Sequence, residues 1–394
     1  MRSVFRIRSC FAALLLLLPV ALWPVDAREP APPSSKAITE ALQPFVDSQS
    51  LAGAVTLVAD KDKILSLDAV GYADVGAKRP LNVQAIFWIA SMSKPITAAA
   101  LMILVDEGKV KLDDPVEKYL PEFKGQMLAA EKGKDPKELR KPNHPITVRE
   151  ILSHTSGLPF STGDEKPTLD GLTLRAGAQS YAKAPLLFEP GTDYHYSNAG
   201  INSAGRIIEV VGGMPYEDFL DKRLLGPLGM EDTTFWPNDE QLKRLAKAYQ
   251  PGRNKTGLEE TPIGQLKYPL NDRRRQPMPA GGLFSTAADV AAFCQMMLNG
   301  GTYKGKFILS EGAVMELTRR QTADSIKTSY GLGFSTGGGN FGHGGALATN
   351  MNIDTKRGLI TVWMVQHAGF PGDGSKSQVA FRKAAEKVFD DSRK

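Results

Sequence analysis

The chain has 394 residues, 42% of them hydrophobic and 23% charged, the composition of a globular protein long enough to bury a sizeable core. Disordered and fibrous classes are excluded, and one large domain or two closely packed ones fit the length. A formal net charge of +5 is too small a bias to point to nucleic acid or a polybasic membrane surface as partner.

The first segment reads as a targeting sequence. Arg2, Arg6 and Arg8 form a basic n-region, residues 11–25 are a leucine-dominated apolar run, and Val25-Asp26-Ala27 offers small residues for cleavage. The run falls short of the roughly 20 residues that span a bilayer, and Pro19 interrupts it. Residues 1–27 are therefore expected to be a signal peptide, and the protein to be exported, periplasmic or secreted, with no stable membrane span after cleavage. Cys10 precedes the apolar run and would leave with it, so Cys294 has no partner for a disulfide.

A Pro- and Ser-rich linker at 28–35 leads into an expected helix over 36–49, with Ser35 as its N-cap. Strand-like runs at 54–59 and 64–72, parted by Asp60-Lys61-Asp62-Lys63, form a hairpin signature. Residues 92–107 make an almost wholly apolar helix ended by Gly108, expected to be buried on all sides. The charged stretch 124–143 reads as an exposed insertion. Helices are expected at 198–211, stopped by Gly212-Gly213, and at 289–298. Short β-branched runs return at 331–336, 347–354 and 359–366, and a helix over 377–391 closes the chain. Strands at both ends around a helical block predict an α/β (α+β) fold. Its antiparallel sheet is built from 36–80 and 325–394, with a mainly helical region inserted at 81–324.

Three short motifs carry possible chemistry. In Ser91-Met92-Ser93-Lys94, helical spacing places the Lys94 amine on the face of the Ser91 hydroxyl. A buried lysine loses its charge readily and becomes a usable base for a serine nucleophile. Ser-x-x-Lys alone is common; Ser180-Tyr181-Ala182-Lys183 is a second copy, but it precedes a proline and opens no apolar helix. Tyr196-Ser197-Asn198 lies just before a helix, where Tyr196 can relay protons and the Asn198 amide can fix a substrate carbonyl. Taken alone, Tyr196 reads equally as a half-buried aromatic with a satisfied hydroxyl. Third, His343-Gly344-Gly345 stands at the start of a late strand, where the Ala346 N–H can join that of Ser91 as an oxyanion hole.

The ordered trio resembles the serine β-lactamase and DD-peptidase (penicillin-binding protein) superfamily, particularly its class C-like branch of β-lactamases, DD-carboxypeptidases, D-aminopeptidases and esterases. The stretches FWIASMSKPITAAAL, ITVREILSHTSGLP, YSNAG, PAGGLFSTAADVAAF, YGLGF and GHGG carry the resemblance through most of the chain. It implies Ser91 as nucleophile, Lys94 as its activator, Tyr196 as general base and acid, and Asn198, His343, Gly344, Gly345 and Ala346 as substrate-binding. It implies no cofactor and no metal. Many family members have Lys-Thr-Gly where this chain has His343, Gly344 and Gly345; histidine is mostly neutral near pH 7, so a substrate carboxylate would be held less strongly. The expected partner is a small-molecule or peptide substrate, cell-wall derived in one version, with an ester, a D-amino-acid peptide or a β-lactam as the bond attacked. The rival reading is a sensor of cell-wall peptides that acylates without deacylating.

Other charged groups read as structural. Arg273-Arg274-Arg275 is expected to be a solvated basic turn, with contact to a substrate carboxylate as the alternative. Asp113-Asp114 has the spacing of a surface turn, and His154 in the SHTSGL stretch is read as structural. No His-Glu-x-x-His site or phosphate loop is present.

Overall fold

The computed structural model describes residues 33–129 and 138–394. The expected signal peptide, with Cys10, lies outside these residues, as does the middle of the 124–143 excursion.

The two chain ends do build one antiparallel sheet. Its strands are β1 (Gly53–Ala59), β2 (Ile64–Asp74), β3 (Arg79–Pro80), β4 (Ser335–Gly337), β5 (Asn340–Gly344), β6 (Asn350–Asp354) and β7 (Leu359–Met364). Their spatial order is β4-β5-β6-β7-β1-β2-β3. β1 lies centrally, with Val55 opposite both Met364 and Ala69. Every residue of β1 and β7 is buried, which is why both read as continuous apolar runs and not as alternating ones. The β1–β2 turn is set by Asp60, whose Oδ1 accepts the N–H groups of Asp62 and Lys63 at 2.8 Å each.

Helices α1 (Lys36–Asp47) and α7 (Ser377–Asp391) cover one face, where Ile38, Leu42 and Val46 meet Val58, Trp363, Phe381 and Phe389. Ser35 occupies the expected N-cap of α1, but its side chain makes no cap bond. On the other face one core runs from Val55, Leu57, Ile360 and Val362 through Val290 and Phe293 of α6 (Ala287–Leu298) into α2 (Ser93–Asp106). Residues 93–104 of α2 are all buried, as its apolar sequence requires. The block between also holds α3 (Val148–Ser153), α4 (Leu174–Lys183) and α5 (Asn198–Gly212), the last ended by Gly213 at φ 67°. Among the described residues no helix is long and apolar enough to cross a membrane.

Four expectations are corrected. The run 331–336 pairs only from Ser335, because the backbone before it is bonded elsewhere: the Leu332 N–H donates to the Leu317 carbonyl and the Gly333 N–H to the Leu152 carbonyl, both at 2.9 Å, and a Cβ on Gly333 (φ 74°) would sit 2.8 Å from the Lys94 carbonyl oxygen. The strand expected over 347–354 begins at Asn350, since the Ala348 N–H closes a turn on the Gly345 carbonyl (3.0 Å). His343 and Gly344 therefore end strand β5 and do not begin a strand. Finally, the basic turn is not wholly solvated. Arg274 is exposed beside Asp272 and Arg273 stacks on Trp236, but Arg275 is buried against Asp170, its Nε 2.7 Å from Oδ2. The excursion at 124–143 opens and closes as a ribbon, Leu128–Ala129 pairing with Leu139–Arg140.

Candidate active site

Ser91 sits in a single 3₁₀ turn, Ala90–Met92, that leads into α2. Ala90 holds φ 46°, a left-handed conformation that disfavours a side chain by about 1–2 kcal/mol. Surrounding bonds hold the turn in place. The Ile89 N–H donates to the Leu283 carbonyl (3.0 Å), and the Trp88 indole donates to the Gly281 carbonyl (2.7 Å). The Met92 N–H makes the turn's first bond, to the Ile89 carbonyl at 3.0 Å, so the Ser91 N–H stands ahead of the helical ladder.

Lys94 is fully buried, and its Nζ has three polar neighbours: Ser91 Oγ at 3.2 Å, Asn198 Oδ1 at 2.8 Å and the Ala280 carbonyl at 2.7 Å. None is a carboxylate. Burial accordingly drives the amine well below the ordinary lysine range. A neutral amine has two N–H donors and one lone pair. Both carbonyl oxygens can only accept, so they take the two N–H groups and leave the lone pair for the Ser91 hydroxyl.

Tyr196 closes the group. Its ring centroid lies 4.6 Å from Lys94 Nζ, and its hydroxyl is within hydrogen-bond reach of Ser91. Burial pushes this phenol above the ordinary tyrosine range, opposed by the Ser91 hydrogen bond, so it rests protonated. The next residue starts α5: Ser197 Oγ accepts the Gly200 N–H (3.0 Å) and donates to the Pro159 carbonyl (2.7 Å), which fixes Asn198 as the first helical residue. Asn198 spends its carbonyl on Lys94, so any substrate contact falls to its amide NH₂.

His343 is buried at the end of β5. Its Nδ1 lies 2.7 Å from the Gly344 carbonyl and must donate to it; its Nε2 lies 2.9 Å from the Tyr330 hydroxyl and accepts. That pairing describes a neutral imidazole. Burial, reinforced by Lys94, lowers its pKa to about 3 against the pull of the Gly344 bond. Gly345 permits a close approach: a Cβ there would lie 2.0 Å from Thr349 Oγ1 and 2.6 Å from the Ile89 carbonyl. The end of β5 thus abuts the residue two before Ser91. Ala346 is exposed in the turn that follows, at a position whose N–H the turn bond leaves free.

Ser91, Lys94, Tyr196, Asn198 and His343 are thus brought around one point, with Gly345 at its edge. The second Ser-x-x-Lys is not so placed: it ends α4, Ser180 bonds Asp164 at 2.5 Å, and Lys183 is exposed. Sequence reasoning did not single out Tyr194 or Tyr330 and read His154 as structural. His154, Tyr194 and Tyr330 form one ring cluster with Tyr196 and His343, the His154 ring lying 4.5 Å from that of Tyr196 and 4.7 Å from that of Tyr330. His154 and Tyr330 lie in the SHTSGL and YGLGF stretches, and Tyr194 stands two residues before YSNAG.

The chain is similar to several known proteins. Protein Rv1367c of Mycobacterium tuberculosis is 31% identical over 360 residues, 82% of this chain and 87% of that one. Esterase EstB of Burkholderia gladioli is 34% identical over 215 residues, 52% of this chain and 51% of the esterase. Among solved structures, EstCE1, a hydrolase with promiscuous acyltransferase activity, superposes with a TM-score of 0.75 at 25% identity, covering 89% of this chain and 97% of that one. The family model named Beta-lactamase matches residues 38–385. The chain belongs to the beta-lactamase family.

Proposed function

We propose that the protein is an exported serine hydrolase that acylates Ser91 and hydrolyses uncharged carboxylic esters in preference to β-lactams or D-amino-acid peptides. The observation that carries this reading is the buried Lys94 amine, 3.2 Å from Ser91 Oγ with two carbonyl acceptors as its other partners.

In this reading Ser91 Oγ attacks the ester carbonyl carbon and its proton passes to the Lys94 lone pair. The N–H groups of Ser91 and Ala346 receive the oxyanion, at a scale of about 10²–10³ in rate for each donor. Collapse breaks the bond to the alkoxy oxygen. The Tyr196 hydroxyl gives that oxygen a proton and regains one from Lys94, so the alcohol leaves neutral. Water then attacks the acyl-enzyme; its proton travels through Tyr196 to Lys94 and returns to Ser91 as the acid leaves. No net proton is gained or lost by the protein.

The preference for an uncharged substrate rests on the third motif. Burial disfavours the charged forms of Lys94, Tyr196 and His343 alike, so these three offer a substrate carboxylate little cationic attraction. Export rests on the basic and apolar character of residues 1–27. The test is steady-state turnover of short-chain p-nitrophenyl esters, nitrocefin and a D-Ala-D-Ala peptide. Repeated turnover of the esters, with nitrocefin and the peptide slower by at least tenfold in kcat/KM, is expected. A stoichiometric burst without turnover, or a preference for the carboxylate-bearing substrates, would overturn the proposal.

A further inference from the structure

We propose that His154 is a positioning residue for this reaction, holding Tyr196 against Ser91 by fastening the backbone on both sides of the tyrosine. The inference rests on the acyl-serine reading above and adds a residue that touches neither substrate nor nucleophile.

His154 is the residue at which α3 stops. The helix is begun by a capping box between Thr147 and Glu150, and it ends with His154 at φ 63°, ψ 27°. Histidine tolerates this left-handed conformation better than most side chains, though not as well as glycine. The conformation has a geometric result. The His154 carbonyl accepts the His195 N–H at 2.9 Å, and its Nδ1 accepts the Ser197 N–H at 3.1 Å. One residue thus binds the amides immediately before and after Tyr196. Its ring packs on the tyrosine ring between them, centroid to centroid 4.5 Å at 47°.

The clamp also settles the tautomer. A backbone N–H can only donate, so Nδ1 must be unprotonated and the proton sits on Nε2. Nε2 is buried with no hydrogen-bond partner, which marks Nδ1 as the nitrogen that the position uses. An ordinary core histidine would satisfy both nitrogens. Here a single acceptor is aimed at the one amide that links Tyr196 to the start of α5, and so also to Asn198 and its bond to Lys94.

Two substitutions separate acceptor from bulk. His154→Asn places an amide oxygen where Nδ1 stands and suits the left-handed backbone; His154→Phe keeps a ring and removes the acceptor. For turnover of a p-nitrophenyl ester, His154→Phe is expected to lose roughly 10²-fold in kcat, the scale of about 1 Å of misplacement, with KM within twofold. His154→Asn is expected to recover most of that loss, although it is the less like histidine in shape. Wild-type kcat in a folded His154→Phe, or a loss in His154→Asn as large as in His154→Phe, would overturn the role. Should the phenylalanine variant fail to fold, His154→Ala against His154→Asn makes the same comparison, and equal kcat in those two would overturn it. Ser91→Ala in the same assay tells the two proposals apart. Turnover that survives Ser91→Ala removes the acyl-serine reading and this inference with it; turnover lost there but kept in His154→Phe removes only the clamp.

Discussion

Lys94 Nζ lies 3.2 Å from Ser91 Oγ, while its two shorter contacts are to carbonyl oxygens that can do nothing but accept. Burial disfavours the charge on this amine, and in its neutral form it gives its two hydrogens to those oxygens and turns its lone pair to Ser91. Lys94→Arg keeps a basic side chain but has no lone pair and cannot be neutral. The variant is expected to lose on the order of 10²–10⁴ in kcat/KM for an ester, the usual scale of general-base catalysis. Retention of more than a tenth of wild-type activity would contradict the role.

The same burial predicts the pH dependence. Burial favours the neutral amine, so the base is available from a pH well below 10.5 upward and is lost as pH falls through its lowered pKa. The rise of kcat/KM with pH should be complete well before pH 10. A profile still climbing at pH 10 would mean that Lys94 is charged at rest.

The two glycines of the third motif should behave differently. A Cβ on Gly345 would stand 2.0 Å from Thr349 Oγ1 and 2.6 Å from the Ile89 carbonyl, so Gly345→Ala must push β5 away from the Ser91 turn. A cost of about 1–3 kcal/mol is expected, with activity falling alongside. On Gly344 the nearest atoms would be 3.6 and 3.7 Å away, and Gly344→Ala should stay within about 0.5 kcal/mol of wild type. Urea unfolding of the two variants side by side is the check, and equal destabilisation would refute the packing argument.

Buried histidines set a lower pH limit on stability. His343 is lowered to about 3 by burial and Lys94, and His367 to about 4 by burial, each opposed by a backbone hydrogen bond. His367 Nε2 also accepts the Ala52 N–H at 3.1 Å, a bond that protonation there would break. Below about pH 6.5 the unfolded chain takes up protons that the folded chain refuses. Stability is therefore full above that value and falls as pH drops toward 4, by about 1.4 kcal/mol per unit for each histidine. In thermal melts, His367→Gln should flatten this slope between pH 6 and 4. An unchanged slope would show that His367 does not remain neutral in the fold.

Arg275 and Asp170 are both buried and bonded at 2.7 Å, and the arginine also donates to the Phe235 carbonyl at 2.8 Å. Removing one member strands the other's charge, so Arg275→Met should cost about 3–5 kcal/mol. A loss under 1 kcal/mol by urea unfolding would return Arg275 to the solvated turn that its neighbours occupy.

Much of this was legible in the sequence where a local rule decides it. The terminal helix Ser377–Asp391 matches its expected bounds, and the hairpin at 53–74 follows from two apolar runs around an Asp-Lys turn. Ser91 and Lys94 could be paired because helical spacing alone sets their geometry. What escaped depends on contacts between segments far apart in the chain. His154 meets Ser197 across 43 residues, and nothing near His154 in sequence says that its Nδ1 finds an amide there. Arg275 looked like its two neighbours until Asp170, 105 residues away, buried it. His343 was placed on the wrong end of a strand because Gly345–Ala348 make a turn where the apolar pattern ran on.

The central claim is that Ser91 is the acylated nucleophile, and intact-mass analysis after exposure to a fluorophosphonate tests it most directly. Wild-type protein should gain the mass of a single adduct, mapped to Ser91, and Ser91→Ala should gain none. An adduct of the same mass and rate on folded Ser91→Ala would contradict the account.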